Sequence, residues 1–296
     1  MKKLFLGFLA VAAVTFTSCS DDNDTNSVPT TRDLTLDITG LENLGSDYKY
    51  EGWVIVNGAP VSTGVFSVDD SGNLSQTFFS VESNVLASAT TFVLSIEPTN
   101  DPDPAPADTK ILAGDFSSNS ANVSSTGIVG DFANATGKYI LATPTDGEDN
   151  NEFSGVWFLD LTSGSPTVGL TLPTLSAGWK YEGWAVINGT PVSTGTFTAA
   201  DMADDNAATS TFKGDMGNGP GYPGEDYIQN APMGLTFPTD LKGSTIVVSV
   251  EPDPDNSPSP FTLKPLAHLV PSDANHHDTL IMGAGPVAAI SGTVTR

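Results

Sequence analysis

Beyond residue 30, apolar and polar positions alternate in short runs separated by turn-forming residues. In the run from Tyr50 to Val56, Tyr50, Val54 and Val56 share one parity while Trp53 and Ile55 share the other, as expected of a strand covered on both faces. Asn57-Gly58 then supplies the positive φ angles of a two-residue hairpin turn. Pro60 has no amide to donate, so it belongs at the start of the return strand. The pattern occurs twice: YEGWVIVNGAPVSTGVF at 50–66 and YEGWAVINGTPVSTGTF at 181–197 are identical at 12 of 17 positions. Tyr181, Trp184, Gly189 and Pro191 therefore repeat Tyr50, Trp53, Gly58 and Pro60.

A second pair of runs extends the duplication. Phe92, Leu94 and Ile96 alternate in FVLSIEP, and Ile246, Val248 and Val250 do so in IVVSVEP. Each run closes in Glu-Pro, at Glu97-Pro98 and Glu251-Pro252, and leads into an acidic, proline-stiffened loop over 99–110 or 253–264. RDLTLDITGL (32–41) and PTVGLTLPTL (166–175) open the two copies. GKYILATPT and SGVWFLDL, with a polar loop between them, read as two further strands of the first copy. The second copy is longer, mostly through residues 201–233, which read as a surface insertion able to carry specificity. The linker-like TSGSPT (162–167) places the boundary between domains covering 32–164 and 165–296.

Composition agrees with an all-β chain. It is 39% hydrophobic and only 16% charged, with 29 Gly and 21 Pro. The first residues differ: Lys2 and Lys3 precede an apolar stretch from Leu4 to Phe16, then Thr17, Ser18 and Cys19. This resembles a bacterial lipoprotein signal peptide over residues 1–18. The resemblance implies a diacylglyceryl group on Cys19, which becomes the mature N-terminus. The acidic, polar stretch to residue 31 is then a flexible tether. Asp21, Asp22 and Asp24 directly behind the lipid resemble an outer-membrane surface-export signal, and a solvated linker facing the periplasm is the other reading. Cys19 is the sole cysteine, which excludes a disulfide framework. Membrane attachment is expected through the lipid alone.

The net charge of −24 repels nucleic acid and anionic headgroups, so a polyanion partner is not expected. Divalent cations, or simply solubility in salty surroundings, suit such a surface better.

With both repeated elements placed, residues 32–296 resemble two tandem copies of the C-terminal extracytoplasmic domain of anti-sigma-K factors. Tyr50, Trp53, Gly58, Pro60 and Val61, with Glu97-Pro98, match the family's hairpin and Glu-Pro motifs. Tyr181, Trp184, Gly189, Pro191 and Val192, with Glu251-Pro252, match them again. The resemblance implies an antiparallel β-sandwich in each copy, with these residues in structural roles. Two departures matter: Thr99-Asn100-Asp101 and Asp253-Pro254-Asp255 stand where the family has Gly-Gly-Ser, and the family's cytoplasmic helical domain and membrane helix have no counterpart. The fold carries over; a direct sigma-factor contact is not expected.

The candidates for chemistry are few. His268, His276 and His277 are the only histidines. NHHD (275–278) could be a metal cluster or a general base with a carboxylate, but adjacent histidines in a strand point to opposite faces and a shared metal would need a loop geometry, so it reads as a solvated loop. Glu97 and Glu251 lie opposite in parity to the apolar strand residues and read as strand-end carboxylates that accept loop amides. NDPDPAPAD, DGEDNN and DPDN offer oxygen ligands for Ca²⁺ without an EF-hand pattern. Trp53, Trp157, Trp179 and Trp184 are expected in the core rather than on an exposed glycan platform. No catalytic residue or organic cofactor is read. The expected protein is a non-enzymatic envelope module, lipid-anchored to the outer membrane, with an envelope protein or glycan as ligand. The alternatives are an accessory role in envelope sigma-factor regulation through a membrane partner, or a carboxylate-dependent carbohydrate-active enzyme.

Overall fold

The computed structural model describes residues 29–147, 149–255 and 257–296. The leader, Cys19 and most of the tether lie outside the described residues. The chain is almost entirely antiparallel β-structure, as its alternation requires. The first half contributes β1 (Thr31–Thr39), β2 (Tyr48–Val56), β3 (Ala59–Phe66), β4 (Phe78–Glu82), β5 (Ala89–Pro98), β6 (Lys110–Ser117) and β7 (Ser120–Ser124), with a one-turn helix at Ser83–Ser88. Next come β8 (Thr136–Leu141), β9 (Gly155–Trp157), β10 (Leu159–Asp160), β11 (Thr167–Val168) and β12 (Leu170–Thr171). The second half adds β13 (Trp179–Ile187), β14 (Thr190–Phe197), β15 (Gly224–Asp226), β16 (Thr245–Pro252), β17 (Lys264–Leu269), β18 (Leu280–Ile281), β19 (Gly283–Val287) and β20 (Ser291–Thr295).

The repeated hairpins are β2–β3 and β13–β14. Their turns have positive φ at both central residues, 53° and 81° at Asn57-Gly58 and 51° and 83° at Asn188-Gly189. Those values match the twist of the flanking strands, which is why Asn-Gly stands there. Both hairpins carry a bulge at the same place, after Gly52 and after Gly183. A Cβ on Gly183 would lie 2.5 Å from the Phe158 ring, so that glycine lets the ring pack on the strand backbone. Each hairpin continues into its Glu-Pro strand, giving the order β3-β2-β5-β6 in one half and β14-β13-β16-β17 in the other.

The expected boundary near residue 164 does not describe how the strands are shared. β20, the last strand of the chain, lies between β1 and β7 in the first half's eight-stranded sheet. β8, which follows β7 in sequence, instead pairs with β12 and β18 of the second half. β9 pairs with β15, so the passage read as extra strands of the first domain belongs to the second. Each copy thus gives its terminal strand to the other. The exchanged strands share a Thr/Ser-Gly opening, Thr136-Gly137 and Ser291-Gly292. Both glycines are close-packed: a Cβ would lie 2.7 Å from Met282 Sδ at Gly137 and 2.5 Å from Asp37 O at Gly292. One continuous hydrophobic core runs through both halves, from Leu34, Tyr50 and Phe92 to Tyr139, Phe158, Tyr181 and Val248.

The insertion at 201–233 is likewise more than a surface loop. It contains β15 and buries Asp204, Glu225, Asp226 and Tyr227. All four tryptophans are buried, at 2–3% exposure, and offer no open stacking platform. Trp157 donates to Asp226 at 2.7 Å, and Trp179 donates across the halves to the Lys110 carbonyl at 3.3 Å.

Candidate cation site at the Glu-Pro loops

Trp53 and Trp184 lie on the face of their sheets opposite Tyr50 and Tyr181, and each begins the same polar relay. Trp53 Nε1 donates to Ser95 Oγ at 2.8 Å, and Ser95 donates to Glu97 Oε1. Trp184 Nε1 donates to Ser249 Oγ at 2.8 Å, and Ser249 donates to Glu251 Oε1. A loop amide completes each carboxylate: Ala107 N–H reaches Glu97 at 2.8 Å, and Phe261 N–H reaches Glu251 at 2.9 Å. The expectation that Glu97 and Glu251 accept loop amides describes this contact, but the tryptophan and serine members of the relay were not anticipated. A second glutamate lies alongside in each copy. Ser62 donates to Glu51 at 2.5 Å, and Ser193 donates to Glu182.

Truncating either tryptophan removes a buried indole and leaves a serine hydroxyl without its donor. Trp53→Ala and Trp184→Ala are each expected to cost about 3–5 kcal/mol, measured by chemical denaturation.

In the second copy the two glutamates meet a third carboxylate. Ligand oxygens of Glu182, Glu251 and Asp255 lie within 4.8 Å of one another. Glu182 is 4% exposed, and its Oε2 has no hydrogen-bond partner. The group beside it is another carboxylate, Asp255, so a hydrogen bond between the two needs a proton on one of them, and none is available when both are ionised. Burial pushes the Glu182 carboxyl up to about 8, with the neighbouring Glu251 adding to the rise despite the Ser193 hydrogen bond. Burial likewise raises Glu251 to about 7, against the hydrogen bonds from Ser249 and Phe261. Among the described residues no lysine or arginine forms an ion pair with these three groups. Lys264 feels the charge of Glu42 and Glu251, but its ammonium is spent on the Phe261 carbonyl at 2.5 Å. Three convergent carboxylates, one with a buried free oxygen, suit a hard divalent cation with oxygen ligands.

The first copy holds Glu51, Glu97 and Asp101 at the matching positions, in a more open arrangement. Burial raises the Glu97 carboxyl, and Asp101 and Glu51 raise it further. The two Glu-Pro loops face each other across the halves. Pro98 and Pro252 line one apolar cleft with Leu44, Tyr48 and Ile96. Beside it a polar pocket is lined by Glu42 and Asp47 from the first half and by Glu251 and Asp255 from the second. The insertion holds another pair of buried acceptors without partners, Asp204 Oδ1 and Asn206 Oδ1, both against Gly195.

Of the repeated motif residues, Tyr50 and Tyr181 are core side chains whose hydroxyls donate to the Glu42 and Pro173 carbonyls, at 3.0 and 2.6 Å. Gly58, Pro60, Gly189 and Pro191 lie at the hairpin tips, away from the acidic cluster. His268 stands apart from the other histidines, with Nδ1 2.8 Å from the Tyr139 hydroxyl. Glu51, Glu182, Ser62, Ser193, Ser95 and Ser249 were missed in the sequence reading. Their signal was present, because polar residues kept identical between diverged copies mark a shared network. Comparison of the chain with protein-family models, curated proteins and solved structures finds no match.

Proposed function

We propose that the chain is a non-enzymatic, lipid-anchored binding module of the cell envelope, held at the outer membrane through Cys19. In this reading the second copy binds a hard divalent cation of the Ca²⁺ type through Glu182, Glu251 and Asp255. The observation that carries the cation is the buried, unpartnered Glu182 Oε2 facing two further carboxylates. The cation fixes the 253–264 loop, whose Pro252 forms one wall of the apolar cleft between the copies. That cleft receives the envelope protein or glycan ligand. A non-enzymatic role fits the committed state of the serines. Ser95 and Ser249 each accept from a tryptophan and donate to a glutamate, which makes them positioning groups rather than nucleophiles. The resemblance to anti-sigma-K extracytoplasmic domains agrees with recognition outside the cytoplasm and leaves a sigma-factor contact to a separate membrane partner.

Cell fractionation tests the anchored part. Cys19→Ala is expected to move the protein from the membrane to the soluble fraction, because a chain with two or more acyl groups anchors stably and an unacylated one does not. An acylated N-terminal cysteine in the mass spectrum of the wild type supports the reading. An unmodified Cys19 in membrane-bound protein overturns it.

A further inference from the structure

The loop from Pro271 to Thr279 crosses the 3₁₀ turn at Glu152–Ser154 and brings both adjacent histidines to one place. His277 adopts a φ of 62°, the left-handed conformation that a strand would not allow. This turns its ring toward that of His276, and the two Nδ1 atoms lie 2.9 Å apart. At that distance the N–H of one ring donates to the lone pair of the other, and a metal ion bound by the rings would displace that proton.

A carboxylate completes the cluster. Glu152 is 8% exposed, and its Oε2 lies 3.5 Å from His277 Nε2. One ligand atom from each of Glu152, His276 and His277 lies within 4.8 Å of the other two. The supporting contacts are already in place. Thr143 N–H donates to Glu152 Oε2 at 3.0 Å, the His277 amide donates to the Leu141 carbonyl at 2.9 Å, and the Phe153 ring packs edge-on against His276 at 5.4 Å. Lys242, the nearby cation, lies over the Phe153 ring and pairs with Asp240 at 3.3 Å, so its charge is met elsewhere. On its other side His277 borders an open groove that includes Trp157, Leu161, Met216 and Pro220.

We propose that Glu152, His276 and His277 bind a borderline divalent transition-metal ion, of which Zn²⁺ is the type, at a site separate from the carboxylate cluster. Two imidazoles and one carboxylate select such ions over Ca²⁺, which takes oxygen ligands alone. Three protein ligands leave a coordination position open, and the groove beside His277 gives it access to a water or a donor group of the module's ligand. The site lies on the second half only, because the first copy has no histidine.

The test uses the mature chain without a histidine tag, stripped with chelator and titrated with ZnCl₂ by calorimetry and with CoCl₂ by visible absorption. One Zn²⁺ per chain is expected, together with Co²⁺ ligand-field bands that Zn²⁺ abolishes and excess Ca²⁺ leaves in place. His276→Ala and His277→Ala remove exposed side chains, and circular dichroism checks that the variants stay folded. Each should weaken Zn²⁺ binding at least tenfold, as should Glu152→Gln, while Glu182→Gln leaves it unchanged. Absent Zn²⁺ binding, or binding unaltered in the double histidine variant, overturns the site. Displacement by Ca²⁺ also overturns it, by assigning the ion to the carboxylates.

Discussion

A chain ending at residue 290 is expected to lose the fold of its first half, although it keeps every residue from 31 to 124. The deletion takes away β20, which pairs through Ser291–Thr295 with both β1 and β7. Val294 is fully buried, and Arg296 donates to the Leu86 and Ala89 carbonyls at 2.5 Å and to Ser118 O at 3.0 Å. Without the strand, β1 and β7 present two open edges over a core that has lost a wall, a state prone to aggregation. By the same logic fragments 30–164 and 165–296 should each fail to fold alone, since each holds the strand the other needs. Coexpressed, they should assemble into a soluble complex with the circular dichroism of the intact chain. Two independently folded, monomeric fragments would contradict the exchange.

The second large effect concerns pH in the absence of divalent ions. The buried carboxyl of Glu182 is raised to about 8 and those of Glu251, Glu225 and Glu42 to about 7, by burial first. A carboxyl whose folded pKa exceeds its unfolded value binds more protons in the folded state, so stability falls as pH rises between the two values. The window here runs from about pH 4.5, the ordinary glutamate value, to about 8. Ionising Glu182 alone is worth on the order of a few kcal/mol across that window. Urea unfolding in chelator should therefore show a protein markedly more stable at pH 5 than at pH 8. Ca²⁺ should restore the part of the difference due to Glu182 and Glu251 at pH 8 and do little at pH 5, where the carboxyls hold protons. Glu182→Gln should make the dependence shallower, because an amide does not titrate while Glu251, Glu225 and Glu42 still do. A stability that rises from pH 5 to pH 8 in chelator would contradict this assignment.

Much of the architecture was legible because it depends on local pattern. Parity alone separates Tyr50 and Val54 from Trp53, and Asn57-Gly58 fixes both the turn and the register of its hairpin. The strand exchange was not legible. Thr136–Leu141 and Ser291–Thr295 are short, follow equivalent strands and are held by backbone pairing, so nothing in their side chains states which sheet receives them. The acidic cluster was half legible. Glu97 and Glu251 stood out by position, whereas Glu51 and Glu182 sat inside a motif dominated by Tyr and Trp. The convergence of Glu182 with Asp255 depends on a loop path that alternation does not describe. The histidine pair was set aside because a strand would separate the rings, and the positive φ of His277 removes that objection.

Tryptophan-sensitised terbium luminescence tests the cation site most directly. Tb³⁺ occupies oxygen-rich calcium-type sites, and the Trp184 indole is joined to Glu251 through Ser249, close enough to pass excitation to a bound ion. The mature chain is expected to give saturable emission with one strong site, competed away by Ca²⁺ and at least tenfold weaker in Glu182→Gln. No sensitised emission, or emission that Glu182→Gln leaves unchanged, would contradict a cation held by Glu182, Glu251 and Asp255.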